Sequence, residues 1–510
     1  MKRGLWIIVV GSGLWAQNDL DAERWSQTIP QGSARAVAMG GAFSALGGDP
    51  ANLTQNPAGM GIFMRGGVWL SPTLTVPTTS TSYIQTANDS RTHLGLSQFA
   101  LILHFKGGKK ITHWNLGFGY NQEGFFVQNS LAQGFNARNS ISQAFAEQAE
   151  GVPDTLLGGS PALAYNTYFQ TSTNPPSAWG VINPVSTNPW RYQGIFSNGG
   201  VFQEIARQER GRLNTWAISV SLCYQNTIFF GASVLIRSLN YTNLYRFRET
   251  DTENRYNGQG GTYPADQLIF REKYSSNGSG LGLALGVLAE PIEYLRFGIS
   301  FLTGSRISIS DEYTADMELV RDDGQTASAS YQEPFQYDYT FSYPYRVNGG
   351  IAVILPKRGA ISLEGDYLDY RTASFSSSSY SYDRENETIE RSFAAAYNLR
   401  GGIEWLVTEN LSLRGGYAYH APVRNAEARQ YYADPSRPMQ LTSLPMQRQF
   451  ISVGGGYTFG SFFIDIAYVY MMGAQKYLPY PLRDPAYAPA PVVVIYNRTH
   501  RVVTTLGIRF

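Results

Sequence analysis

Apolar residues alternate with small or polar ones along most of this chain. Trp114, Leu116, Phe118 and Tyr120 fall on one face, and Asn115, Gly117 and Gly119 fall on the other. Trp216, Ile218, Val220, Leu222 and Tyr224 oppose Ala217, Ser219, Ser221 and Cys223, and Leu295, Phe297, Ile299 and Phe301 oppose Arg296, Gly298 and Ser300. A period of two with one apolar face predicts strands of a sheet wetted on one side. Such segments number about fourteen, over roughly 65–76, 94–106, 112–124, 212–225, 227–246, 271–289, 292–310, 334–355, 359–371, 391–406, 411–421, 448–459, 461–472 and 496–510.

The connections are of two kinds. After each even strand the link is short: KGGKK at 106–110, Gln225-Asn226, Glu290-Pro291, PKRG at 356–359, Thr408-Glu409-Asn410 and Gly460. After each odd strand it is long and polar, over 77–93, 125–211, 247–270, 311–333, 372–390, 422–447 and 473–495. Short turns inside and long loops outside, with an even strand count, are the pattern of a bacterial transmembrane barrel. A two-sheet sandwich would need large residues on its inward faces. Here many second faces are Gly, Ala, Ser or charged; Leu281, Leu283 and Leu285 suit lipid, and Gly280, Gly282, Ala284 and Gly286 a lumen. The prediction is an all-β fold, a transmembrane antiparallel barrel of about fourteen strands over 65–510.

Composition narrows the function. Lys+Arg 40 against Asp+Glu 39 leaves a formal charge of +1, which provides no basic footprint for nucleic acid. The single Cys223 has no companion for a disulfide, zinc cluster or redox pair. Residues 1–16 have Lys2 and Arg3, an apolar core from Leu5 to Val10 and a small Ala16, the layout of a cleaved secretory signal. No later apolar run is long enough to cross a bilayer as a helix. Localisation in the outer membrane of a Gram-negative bacterium is expected.

Residues 17–64 lack the alternation. A barrel of this size encloses more than side chains fill, so it is either an open pore or plugged. A near-neutral segment carrying Val37, Met39, Phe43, Leu46, Met60 and Phe63 suits a plug. The run Ala34-Arg35, Met39-Gly40-Gly41-Ala42-Phe43, Asp49 and Asn56-Pro57-Ala58-Gly59 resembles the N-terminal hatch of the outer-membrane long-chain fatty-acid transporter (FadL-type) family. The resemblance implies a fourteen-stranded barrel, a hatch bearing an Asn-Pro-Ala motif, and passive uptake of hydrophobic compounds. It also implies a lateral opening at a kinked third strand, for which Gly117, Gly119 and Gly124 are the candidate hinge. Gly within a strand is equally a sign of a plug in close approach. Gln55 stands where the family often carries an aromatic residue. Some relatives serve secretion or surface assembly, so a plugged-barrel subunit of an envelope complex is the alternative function.

The apolar faces leave Arg296, Arg346, Glu364, Asp366, Arg400, Glu404, Arg414 and Asp465 pointing inward, most of them near the short turns. Interleaved signs predict a salt-bridge belt that holds the hatch, with an acid/base site or ion filter as the competing reading. Strands 94–106 and 227–239 are apolar on both faces in part, which makes Ile102, Phe229 and Leu235 candidates either for lining a ligand pocket or for packing the hatch. A short helix is expected at SISQAFAEQAEG within 125–211, beside aromatics Tyr165, Tyr168, Phe169, Trp179 and Trp190 that capture ligands or cap the barrel. The histidines His93, His104, His113, His420 and His500 show no metal-binding spacing, and no GxSxG elbow is present. No enzyme activity and no cofactor are expected. The expected partners are outer-membrane lipids, a hydrophobic small-molecule ligand, and the barrel-assembly machinery through the terminal Phe510.

Overall fold

The computed structural model describes residues 19–170, 178–259, 263–428, 448–484 and 488–510. The signal segment 1–16 and much of the loop 422–447 lie outside these residues. Fourteen antiparallel strands close into a barrel. They are β1 (Gly67–Ser82), β2 (His93–Lys106), β3 (Ile111–Phe125), β4 (Val201–Tyr224), β5 (Ile228–Thr250), β6 (Gln267–Ile292) and β7 (Leu295–Leu302, resumed as Arg306–Val320). There follow β8 (Phe335–Ser342, resumed as Arg346–Leu355), β9 (Gly359–Asp369), β10 (Ala395–Leu406), β11 (Leu411–His420), β12 (Arg448–Phe459), β13 (Phe462–Tyr477) and β14 (Val493–Arg509). Closure comes from β14 on β1, with Gly67 opposite Arg509 and Ser82 opposite Val494. No sheet edge is left along that seam, as a barrel in lipid requires.

Outward positions form an apolar band: Leu116, Ile218, Val234, Leu283, Ile351, Leu399 and Ile451 are all exposed. Their strand neighbours Ala217, Leu235, Ala284 and Ala352 are buried inside. Short turns join the inner ends. Gln225 and Asn226 have φ of 52° and 58°, the left-handed pair that matches the twist of a tight hairpin.

Several strands are longer than the sequence pattern predicts, among them β1, which runs on to Ser82, and β13, which runs on to Tyr477. β4 begins at Val201 instead of near 212, β5 runs on to Thr250, β6 starts at Gln267, and β7 continues to Val320, so parts of the expected loops 125–211, 247–270 and 311–333 are wall. The reason is an inversion of phase. Within the band the outward residues are apolar, but beyond it Gln208, Arg210, Arg246 and Arg248 face water while Ile205, Phe247, Leu268 and Phe270 are buried inside. Polar outward residues there read as loop. The expected strands 292–310 and 334–355 are each broken at one level, by 303–305 and 343–345, where Pro344 has no N–H to give and Gly304 lies against the Tyr343 carbonyl.

The predicted helix appears as Ile141–Ala149 and joins a cap over the outer end of the barrel. Its side chains Ile141, Phe145 and Ala149 pack with Ile205, Phe247, Phe270 and Met317 of the wall and with Trp179 and Tyr192. The loop aromatics therefore sit largely in this cap, although Tyr168 remains exposed. Residues 19–63 pass through the lumen as α1 (Asp19–Ser26), α2 (Ala34–Ala38) and two single 3₁₀ turns, Pro50–Leu53 and Pro57–Ile62.

Purified protein in detergent should therefore migrate faster on a gel before boiling than after it, with a strand-rich circular dichroism spectrum. A helical spectrum, or a soluble monomer without detergent, would contradict the barrel.

Candidate ligand cavity and its hatch

The hatch is held by its own caps before it meets the wall. Ser33 accepts from the Ala36 N–H at the start of α2 and donates its hydroxyl to Asp49 (2.6 Å). Asp49 in turn accepts from the Ala51 N–H. Asn56 works in three directions: its Oδ1 accepts from the Ala58 N–H, and its Nδ2 donates to the Ser44 carbonyl (2.7 Å) and to Val287 of β6 (3.3 Å). Pro57 opens the following turn at a position where a missing N–H costs nothing.

The wall facing these residues is glycine. A Cβ on Gly231 would strike the Pro57–Ala58 peptide, one on Gly286 the Asn56 side chain, and one on Gly298 the Ser44 carbonyl. Met39 and Gly40 sit in the same way on Gly402 and Gly416, and Gly41 lies beside the Arg400 side chain. Gly59 leaves room for the Asn52 side chain.

Gly117 and Gly119 belong to this set and do not form the expected hinge. Both pair in register with β2 and β4, and Leu53 and Met60 of the hatch fill the space above them. Ile102 and Leu235 likewise pack with Leu53, Met60 and Phe63, and Phe229 packs with Ala58 and Ile62. These three residues lie under the hatch, away from the cavity described below.

Charge holds the opposite side. Arg35 of α2 makes a two-pronged pair with Glu404 (2.8 Å each) and donates to the Gly48 carbonyl; its guanidinium lies 5.2 Å from the Phe43 ring centre. Arg414 bonds the same Glu404 (2.6 Å) and Asp465 (2.5 Å). Arg400 pairs with Asp366 and Glu364, and Glu364 accepts from the Ser44 N–H (2.8 Å). Arg296 joins Glu290 to the Leu46 carbonyl, and Arg346 reaches Thr28. Two anchors carried no sequence signal. Arg501 of β14 donates to the Pro30 carbonyl, and the fully buried Arg424 pairs with Asp19 and Glu23 of α1.

The third strand is irregular beyond Asn121. Glu123 is an extra residue, since Gln122 faces Asn214 and Gly124 faces Leu213. β2 pairs with β3 only as far as Gln98 opposite Asn121, while the outer piece of the third strand, Gln128–Asn136, pairs with β4. Between the outer ends of β2 and β3 the ladder is open. His93 and Phe125 face each other across it with ring centres 5.4 Å apart, and Leu94 on the β2 side is 77% exposed. Gly124 borders this break.

Behind the break lies a cavity of about 190 Å³. Phe125, Phe126, Ile29, Leu20, Phe450 and Met471 give it an apolar wall, and Glu23, Arg24, Arg207, Glu209, Tyr241 and Arg448 a polar one. Most of the polar groups are satisfied locally: Glu209 accepts from Arg207 (2.7 Å) and Tyr241 (2.5 Å) and lies 3.9 Å from Arg24. Arg448 makes no hydrogen bond or ion pair among the described residues. The lining thus combines greasy area with a cation, Arg448, that has no ion pair among the described residues and feels Glu23 and Tyr370 at longer range.

Above the cavity the cap rests on Glu249, at the outer end of β5 beyond the apolar band. Its carboxylate accepts from Ser140 Oγ (2.5 Å), the Ile141 N–H and Gln203 Nε2. Burial pushes its pKa up to about 7.

No protein-family model matches the sequence, and no curated protein sequence matches it. Solved structures do resemble the fold. A FadL homologue of Pseudomonas aeruginosa shares 12% identity at a TM-score of 0.52, over 95% of this chain and 99% of that one. The P. putida toluene transporter TodX shares 12% identity at 0.53, over 94% and 99%. At this identity the likeness is one of fold, and it is the FadL-type fold that the hatch segment resembles.

Two outcomes are expected. Glu404→Gln should leave Arg35 and Arg414 short of a counter-charge, lowering the stability of the seated hatch by about 3–5 kcal/mol, the usual loss when one partner of a buried pair is removed. Protease sensitivity of the hatch in an intact barrel would report this. For Glu249, a raised pKa means that the neutral form favours the docked cap. Its contribution is complete below the ordinary carboxyl range and falls as pH climbs through about 7. Cap protection against proteolysis should therefore be greater in mild acid than in mild base, and Glu249→Gln should remove the difference.

Proposed function

We propose that the chain is a passive outer-membrane uptake channel for hydrophobic or amphipathic compounds, such as long-chain fatty acids, and that the hatch is its gate. The observation that carries this is the open ladder between β2 and β3, with the exposed Leu94 on its β2 side and, on its β3 side, Phe125, which also lines the cavity beside α1. The barrel axis is obstructed at both ends, by the cap around Phe145 and by the hatch seated on the wall glycines. An apolar solute already in the membrane meets a side entrance with a greasy lip, and the hydrophobic effect favours its transfer along apolar lining. Arg448 offers a charge partner to an amphipath's head group. Passage to the periplasm then needs the hatch to shift, because Asn56, Pro57 and Ala58 lie tight against β5 and β6. Solved relatives named as a toluene transporter and a FadL homologue support a cargo of low polarity. Export by the segment 1–16, and insertion recognised at Phe510, belong to the same reading.

Deletion of residues 32–60 should convert a closed channel into one with larger single-channel conductance, and cells should leak antibiotics. A deletion variant that inserts normally yet conducts no better than the parent would overturn the gate. Reconstituted parent that passes no hydrophobic solute, while co-purifying with a stable partner, would favour the envelope-complex subunit instead.

A further inference from the structure

The inner end of the β2–β3 hairpin carries charge that uptake does not use. Lys106, Lys109 and Lys110 are exposed, and so are Arg65, just before β1, and Arg509, at the end of β14. These ends adjoin: Gly67 pairs with both Ile102 and Arg509. Among the described residues, Lys106, Lys109, Lys110 and Arg65 have no ion pair. Other turns on this rim differ. Gln225-Asn226 and Gly460 are neutral, Glu290 is paired with Arg296 (2.9 Å), and the remaining basic turn, Lys357-Arg358, joins β8 to β9 across the barrel.

Immediately above the lysines, Phe105 and Trp114 are opposite each other in register and stack with ring centres 4.1 Å apart and planes 14° apart. With a strand rise of about 3.3 Å per residue, the turn lies within roughly 15 Å of that pair. Aromatic rings at the margin of an apolar band, followed by lysines, match the depth at which lipid head groups lie. Gly107 and Gly108 donate their N–H groups to the Thr112 and Ile111 carbonyls, which closes the turn that carries Lys109 and Lys110.

We propose that this sector binds an anionic phospholipid of the inner leaflet, with its phosphate on Lys106, Lys109 and Lys110 and its first methylenes against Phe105 and Trp114. The proposal rests on the chain being an outer-membrane barrel with its short turns at the inner face.

The test is native mass spectrometry of the full chain in detergent, titrated with phosphatidylglycerol or with phosphatidylcholine of the same acyl chains. The parent should retain phosphatidylglycerol preferentially at low salt. Retention should weaken by roughly fivefold for each lysine removed in a Lys106→Gln/Lys109→Gln/Lys110→Gln series, and survive replacement of all three by Arg. Heat-modifiable migration checks that each variant is folded. Equal retention of the two lipids overturns the proposal, as does a triple Gln variant that binds like the parent. Lysine-dependent capture of an acidic periplasmic protein without lipid preference also overturns it. A parent that passes hydrophobic solute but shows no lipid preference rejects this site alone; a lipid preference without any solute passage rejects the channel reading alone.

Discussion

Close approach between the N-terminal segment and a side-chain-free wall is the constraint on which the interior depends. A closed barrel of fourteen strands is wider than its own side chains fill, so the chain supplies a separate filling. That filling reaches the sheet backbone wherever the wall offers no Cβ: Pro57-Ala58 at Gly231, Ser44 at Gly298, and Met39-Gly40 at Gly402 and Gly416. Contact at that range excludes water, and every peptide group brought there needs a partner. Asn56, with bonds to Ser44 and Val287, is one answer. The inward charges are another. Arg35, Glu404, Arg414 and Asp465 alternate in sign along a chain of bonds, which limits the cost of burying each of them.

The same filling explains where the barrel is open. With the base occupied by the 3₁₀ turns and the outer mouth covered by the cap, a pocket of free volume remains at the side, between α1 and the third strand. There the extra residue Glu123 shifts the register, and the β2–β3 ladder ends at Gln98 and Asn121. Glu123 is itself buried and paired with Arg237 (3.1 Å), so the bulge is tied to β5 instead of being left loose. The opening is thus framed by fixed groups.

The sequence carried the strand count and the in–out assignment, because lipid and lumen impose opposite demands on successive residues. A segment without alternation has no place in the wall, and Arg35, Met39–Phe43 and Asn56–Gly59 do lie off it, against the inward faces of the strands. The sequence did not carry the length of β4 to β7. Arg246 and Arg248 alternate with buried Tyr245 and Phe247, but their polarity reads as loop once the membrane no longer selects the outward face. The glycines at 117 and 119 were legible only as a choice between hinge and close approach. Nothing in a single sequence says that Leu53 and Met60 lie above them. The cavity was missed for a related reason: it draws on Leu20, Phe126, Arg207, Phe450 and Met471, which share no local pattern. Arg424 was invisible too, as one of several arginines in a polar loop; its partners, Asp19 and Glu23, stand some four hundred positions earlier.

The central claim is that solute enters through the side of the barrel between β2 and β3. A His93→Cys/Phe125→Cys pair, made with Cys223→Ser, places two thiols on either side of that opening, where the native rings face each other at 5.4 Å. Bridging them with a short reducible bifunctional reagent and measuring uptake of a hydrophobic solute into proteoliposomes tests the route directly. The account predicts that bridging abolishes uptake and that reduction restores it. Uptake that proceeds unchanged through a fully bridged protein would contradict it.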